Sequence, residues 1–409
     1  MREKLSSFFY SAITGLIAGL AVSIFLFLLG RVTGLHGKYP AMIFTLPFVG
    51  VLIAFFYHRY DEGCGAGNAL VLDTIHKDDA VIPLRMAPFV LISTLLSHLG
   101  GGSVGREGTA VQMSASLSDQ FARILKLDRP NRRALVLVGV GAGFAAAFGT
   151  PIAGAMFGLE VIAVGSFEWT LCAEALIAAY AAYYCTHLLG IVHTKYPTPE
   201  ILPWQSMLPF LLAIAALSFG VAAQAFVTST HFLEKKFKKW IRVPELRAFL
   251  VGCLLVALFR WEGSGRFEGL GFQEIFHSFS FSESLNVPLM KGGFTALTLS
   301  GGFKGGEFIP LVFIGTTLGS FLAPLLQLPI SSVAALGLTA CFGAVANTPL
   351  TAALLLGESF GWKFFPYALF VSYLAYFVTG EQGIYRGQRI HRRKPITLLI
   401  QWWKARKNY

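Results

Sequence analysis

The chain has 409 residues, of which 55% are hydrophobic and 13% charged, with a mean hydropathy of +0.61. That balance excludes the two or three water-soluble domains this length would otherwise suggest, and apolar runs from end to end make it a polytopic membrane protein. The net charge of +11 does not describe a nucleic-acid surface, because the cations lie in short patches between apolar runs. These patches are Arg2 with Lys4, Arg123 to Arg133, Lys235 to Arg247, Arg386 to Lys394, and Lys404 to Lys407. Under the positive-inside rule they flank spanning segments on the cytoplasmic side and place both termini there.

The run from Phe8 to Gly30 is too long for a signal sequence and is predicted to remain as the first helix. A second run, Ala41 to Tyr57, ends in a glycine-rich break, Asp61-Glu-Gly-Cys-Gly-Ala-Gly-Asn68. Helical stretches follow at Ala69 to His76, Ala87 to Leu99, Ala110 to Ile124, Ala134 to Phe148, Ile152 to Val164 and Trp169 to Leu189. Residues 1–190 therefore read as a first membrane unit. Pro197, Pro199 and Pro203 mark residues 191–204 as a joint. Residues 205–409 form the second unit, with a short C-terminal tail. It opens with a helix from Met207 to about Leu233, ending in Lys235-Lys-Phe-Lys-Lys239. Ala248 to Phe259, a loop-rich stretch to Asn286, Leu289 to Leu299, Leu311 to Leu326, Val333 to Val345, Leu350 to Leu356 and Phe365 to Val378 complete it. Many of these runs fall short of the roughly 20 residues of a straight crossing. Short, glycine-broken runs predict tilted helices that stop within the membrane.

Two of the breaks match. Gly101-Gly-Ser-Val-Gly-Arg-Glu107 and Gly301-Gly-Phe-Lys-Gly-Gly-Glu307 share the spacing Gly-Gly-x-x-Gly-x-Glu. Thr150-Pro151 precedes Glu160 as Thr348-Pro349 precedes Glu358. Broken helices at matching places in two halves point to a binding site near the midplane. A glycine turn running into a helix start leaves backbone N–H groups free, and with the helix dipole these bind an anion without a formal positive charge. Irregular backbone is tolerated in hydrocarbon only where it lines a protein-enclosed cavity.

Glu107 has two readings: a cap that satisfies those N–H groups, or a functional acid. An ionisable group in a membrane helix costs about 2.5–3.5 kcal/mol on insertion scales, which favours function. The readings also combine, since a carboxylate that fits an anion site competes with the anion, and its protonation couples the two occupancies. Glu307 has the same two readings. Glu160 and Glu358 read as stabilisers of helix ends. Arg106 suits a partner for carbonyls or an acid better than an anion ligand, and His98 suits hydrogen-bonded packing. Asn68 and Tyr385 could donate to an anion, although each alone also fits a turn or interface residue.

Other chemistries lack their residues. Val136-Leu-Val-Gly-Val-Gly-Ala-Gly143 imitates a dinucleotide turn, but Phe144 stands where the third glycine belongs. There is no phosphate-binding Walker sequence, no H-E-x-x-H and no G-x-S-x-G. Cys64, Cys172, Cys185, Cys253 and Cys341 show neither metal nor redox spacing. A membrane enzyme using Glu107 and Glu307 as acid and base would want His or Asp partners, and only His98 stands near.

Gly105-Arg-Glu-Gly108 resembles the G-R-E-G-P motif of the CLC family of chloride channels and antiporters, with Thr109 in place of proline. Gly306-Glu-Phe-Ile-Pro310 is similar to its G-x-F-x-P motif, and the two Thr-Pro to Glu segments resemble its paired helices. The family's G-S-G-I-P is replaced by Gly63-Cys-Gly-Ala-Gly-Asn68, and Val161 stands where chloride/proton antiporters carry an intracellular proton-handling glutamate. With G-R-E-G-T, Asn68 and Glu307, the chain most resembles the family's fluoride-exporting branch.

The resemblance implies an all-α fold of two inverted structural repeats, assembled as a homodimer with one pore per subunit in the inner membrane. It implies fluoride leaving in exchange for an entering proton, with no cofactor and no nucleotide-binding domain after the last apolar run. Glu107 would gate and Glu307 would take part in fluoride or proton binding. Gly105, Arg106, Gly108, Asn68, Gly306, Phe308, Ile309 and Tyr385 would line the anion path. The dimer face would come from Pro151 to Leu159, Leu171 to Leu188, Pro349 to Leu356 and Phe365 to Phe377. A chloride/proton antiporter or a passive channel of the same family is the nearest alternative.

Overall fold

The computed structural model describes residues 2–77, 80–203 and 205–407. Trp204, at the end of the expected joint, lies outside the described residues, as do the side chains of Arg2, Lys404 and Lys407 in the terminal basic patches. The first half contains α1 (Arg2–Lys38), α2 (Leu46–Tyr60), α3 (Asn68–His76), α4 (Met86–Leu99), α5 (Glu107–Ile124), α6 (Arg129–Phe148), α7 (Pro151–Glu160) and α8 (Cys172–Leu188). The second contains α9 (Leu208–Trp240), α10 (Pro244–Glu262), α11 (Phe272–His277), α12 (Asn286–Gly301), α13 (Phe308–Leu325), α14 (Ile330–Ala346), α15 (Pro349–Phe360) and α16 (Phe365–Val378). A last helix, α17 (Pro395–Lys407), follows.

The halves repeat one packing scheme. In the first, α5 packs on α6, α6 on α7, and α1 on α4, α5, α6 and α8; in the second, α13, α14, α15, α9, α12 and α16 make the corresponding contacts. Helix breaks recur as well. α6 ends on Gly149 at φ 74° and α14 on Asn347 at φ 61°. Left-handed backbone suits glycine first and asparagine next, and it closes both helices immediately before a Thr-Pro start. Among the described residues four helices are long and apolar enough to cross a membrane: Lys4–Lys38, Pro40–Tyr60 (including the short helical turn before α2), Leu208–Trp240 and Phe308–Leu325. Of these α13 is apolar all round and buried, whereas α1 and α9 each leave one face exposed.

The repeats are stapled at α7 and α15. Glu160, at the end of α7, accepts from the N–H groups of Leu350 (3.0 Å) and Thr351 (2.8 Å) and from the Thr351 hydroxyl (2.7 Å) at the start of α15. Glu358, near the end of α15, accepts from Ile152 (3.0 Å) and Ala153 (2.7 Å) at the start of α7. Each acid therefore stabilises a helix end, as expected, but the end belongs to the other repeat.

Four expectations change. The run Ile152 to Val164 is not one helix: α7 stops at Glu160, and β1 (Ala163–Val164) pairs in parallel with β2 (Arg389–Ile390). The β-branched Val161, Ile162 and Val164, with Gly165 at φ 71° beyond them, favour extended chain there. Helix α9 runs through Lys235 to Lys239 to Trp240, since lysine is a good helix former once it reaches water. The loop-rich stretch before Asn286 contains α11, and the tail folds as α17. Residues 191–203 do form irregular chain, yet they pack closely: Tyr196 lies against Phe276, Phe279 and Phe360, and Thr194 against Arg106.

Candidate functional site

The two acidic turns meet. The Gly105 N–H donates to the Gly306 oxygen at 2.6 Å and the Gly306 N–H to the Gly105 oxygen at 2.7 Å, an isolated antiparallel bridge with local two-fold symmetry. The bridge brings the N-termini of α5 and α13 together. Two positive helix ends so placed repel unless negative charge lies between them. Only glycine permits the approach. A Cβ on Gly306 would sit 2.9, 3.1 and 3.3 Å from the amide nitrogens of Gly108, Glu107 and Arg106, and one on Gly105 would sit 2.9 Å from the Gly306 oxygen.

The acid at this junction is Glu107. Its Oε2 accepts from the Arg106 N–H at 3.1 Å, and its Oε1 lies 3.5 Å from Arg106 Nε. The amides of Glu107 itself and of Ile309, one from each repeat, lie nearby, and Oε1 is buried without a hydrogen bond. Glu107 therefore takes an amide at its helix start, as the capping reading expects, at a junction of helix ends that an anion could also occupy. Arg106 is the acid's partner. It also donates to the Thr194 hydroxyl at 3.3 Å and covers the Phe272 ring at 5.4 Å.

Glu307 behaves differently. It occupies the N-cap of α13 but makes no capping bond. It lines a cavity of about 200 Å³ with Asn68, Gln112, Lys304, His231 and Arg386. Asn68 opens α3 directly after Gly67 (φ 59°, ψ −128°), and its amide nitrogen faces Gly108 while Oδ1 is buried without a partner. Thus Asn68, Gly108 and Glu307 gather on one side of the bridged turns. On another, Arg106 and Phe308 border a small cavity with Phe148, Thr194 and Tyr196. Tyr385 is buried, 5.9 Å from Phe157 between ring centroids, and within electrostatic reach of Glu307 and Glu107. Val161 shares an apolar niche with Asn68 and Tyr385. His98 is packing: Nδ1 bonds to the Thr94 oxygen at 2.8 Å.

Sequence reasoning missed three features. Gln112 stands one turn along α5 from Gly108 and reaches the cavity, a position that helical spacing gives once α5 is known to start at Glu107. The second is Lys304, on the wall of the same cavity. The third is a cluster of rings about Phe308, with Phe148 at 4.4 Å, Phe342 at 4.3 Å and Phe144 at 5.9 Å, and Phe157 stacked on Phe144 at 4.4 Å. Phe144, which spoils the dinucleotide pattern, belongs to it. Ring edges carry partial positive charge and ring faces partial negative charge, so an anion is favoured only at an edge.

The sequence pattern of the voltage-gated chloride channel family matches residues 49–380. A "chloride/fluoride channel protein" of Pseudomonas syringae pv. tomato is 40% identical over 391 residues, covering 94% of this chain and 86% of that one. An "H(+)/Cl(-) exchange transporter ClcA" of Vibrio cholerae is 28% identical over 338 residues, covering 76% of this chain and 70% of its own. The crystal structure of a CLC-type fluoride/proton antiporter superposes with a TM-score of 0.92 at 32% identity, covering 95% of this chain and 99% of that one. A slow cyanobacterial Cl−/H+ antiporter shares the fold, with a TM-score of 0.78 at 19% identity.

Proposed function

The chain belongs to the voltage-gated chloride channel family, and we propose that it is a secondary active transporter that exports fluoride in exchange for protons. The observation that carries this reading is the pair of acids at the bridged turns: Glu107 buried where the two helix starts meet, and Glu307 making no capping bond in a polar cavity beside Asn68. Ionised Glu107 fills the meeting point of the two helix ends. When a proton reaches it, its hold on the amides weakens and a fluoride ion takes its place. Neutral Glu307 offers an O–H and Asn68 an N–H₂ to the hard, strongly accepting fluoride. Release of fluoride on one side and of the proton on the other restores the starting state, so one ion is exchanged for the other. Val161 cannot hold a proton, which leaves Glu307 as the inner proton carrier.

Within this reading Gly105, Arg106, Gly108, Gly306, Phe308, Ile309 and Tyr385 line the fluoride path, and no cofactor enters the cycle. The cavity at Glu307 opens toward the cytoplasm, because Glu234 and Arg386 on its wall lie beside the Lys235 to Lys239 patch. Both termini are then cytoplasmic and the protein sits in the inner membrane as a homodimer, with residues 1–190 and 205–409 as its repeats and 191–204 between them. Efflux from proteoliposomes loaded with fluoride or chloride, with internal pH recorded together, tests the reading. Fast fluoride release with opposing proton movement and much slower chloride release are expected. Comparable chloride release would place the protein among chloride carriers.

A further inference from the structure

Lys304 occupies the second acidic turn at the place where the first turn has Val104. Its ammonium is held only loosely. The ammonium lies 4.1 Å from the Tyr57 ring centroid and donates one long bond, 3.4 Å, to the Gly65 oxygen. An ammonium has three donors, so two remain. Among the described residues no carboxylate forms an ion pair with it, and the nearby acids are engaged elsewhere. Glu234 pairs with Arg386 and Lys238, and Asp61 accepts from the Gly65 N–H. Yet Lys304 adjoins the same cavity of about 200 Å³ as Asn68, Gln112 and Glu307.

A partly buried cation without a counter-ion is unfavourable unless an anion comes to it. We propose that Lys304 is the recruiting cation of the transporter: a small, hard anion entering the cavity settles against its ammonium before passing to Asn68, Glu307 and the paired helix ends. A compact ammonium suits this task better than a planar guanidinium, because it acts as a point charge that makes no bidentate hold and releases the ion readily. The inference rests on the fluoride-export reading and adds a residue to it.

The test measures initial fluoride flux against fluoride concentration on the cavity side, with proton movement recorded, for the unmutated protein, Lys304→Gln and Lys304→Arg in liposomes. Lys304→Gln is expected to raise the half-saturating concentration about tenfold with a near-normal maximal rate and an unchanged fluoride-to-proton ratio. Lys304→Arg, which keeps the charge, should hold half-saturation near the unmutated value while lowering the maximal rate, because the guanidinium releases the ion less readily. Unchanged half-saturation in Lys304→Gln, or an equal loss in Lys304→Arg, would overturn the inference while leaving fluoride export standing. Should Lys304→Gln fail to assemble, the unmutated protein decides: half-saturation on the cavity side should rise with added impermeant salt, which screens a solvent-facing charge, and no rise would overturn the inference. Absence of any fluoride exchange by the unmutated protein would instead sink the export reading, and this inference with it.

Discussion

At the scale of single residues, the two glutamates are equivalent in sequence and unlike in surroundings. Glu107 takes the Arg106 N–H and lies beside its guanidinium, so on the proposed cycle Glu107→Gln removes the charge that competes with the anion while keeping the shape. Proton movement coupled to fluoride should fall at least about a hundredfold in that variant, as for loss of a group that acts in the cycle itself, measured by pH recording in liposomes. Glu307→Gln should likewise abolish proton-coupled flux, and unchanged coupled exchange there would remove Glu307 from the proton path. Both acids were legible because a charge in an apolar, glycine-broken run has little structural justification. Lys304 was not, because a lysine in a glycine-rich turn is also an ordinary surface residue; only its place on the cavity wall and its missing counter-ion distinguish it. The phenyl cluster was hidden for another reason. Its rings come from α6, α7, α13 and α14, and side-chain proximity across four helices has no local signature.

At the scale of elements, the reciprocal caps at α7 and α15 carry the clearest energetic prediction. Replacing Glu160 by alanine leaves the Leu350 and Thr351 amides and the Thr351 hydroxyl without their acceptor. Each buried donor left unpaired costs about 1–3 kcal/mol. Glu160→Ala should therefore lower the thermal midpoint of the purified protein by several degrees. Glu358→Ala, which frees two amides, should lower it less. Equal stability of Glu160→Ala and the unmutated protein would show that water replaces the cap. The Thr-Pro starts and their following glutamates were readable as helix boundaries, since proline at the first position and a left-handed residue before it are local features. That each acid serves the opposite repeat was not, because a cap supplied from some 190 residues away obeys tertiary packing alone. The end of α7 was misplaced for a related reason. Val161 to Val164 continue the apolar run, and only their pairing with Arg389–Ile390 turns them into strand.

At the scale of the whole molecule, the proposed dimer face on α7, α8, α15 and α16 leaves large apolar side chains uncovered in the single chain. Tyr184 is 57% exposed and Phe370 43%. Tyr184→Lys combined with Phe370→Lys should shift the protein from dimer to monomer in light scattering; an unchanged mass would place the interface elsewhere. The repeat itself was legible throughout, because two motif pairs in the same order need a duplicated fold. Its two-fold symmetry became visible only in the Gly105–Gly306 bridge, where the turns exchange hydrogen bonds. The central claim is that fluoride and protons move in opposite directions on one carrier. The most direct measurement imposes a pH gradient across liposomes holding equal fluoride on both sides and records fluoride with time. Fluoride accumulating on the acidic side, with both fluxes lost in Glu107→Gln, is the predicted result. No net fluoride movement under that gradient, alongside fast passive fluoride leakage, would contradict exchange and make the protein a channel.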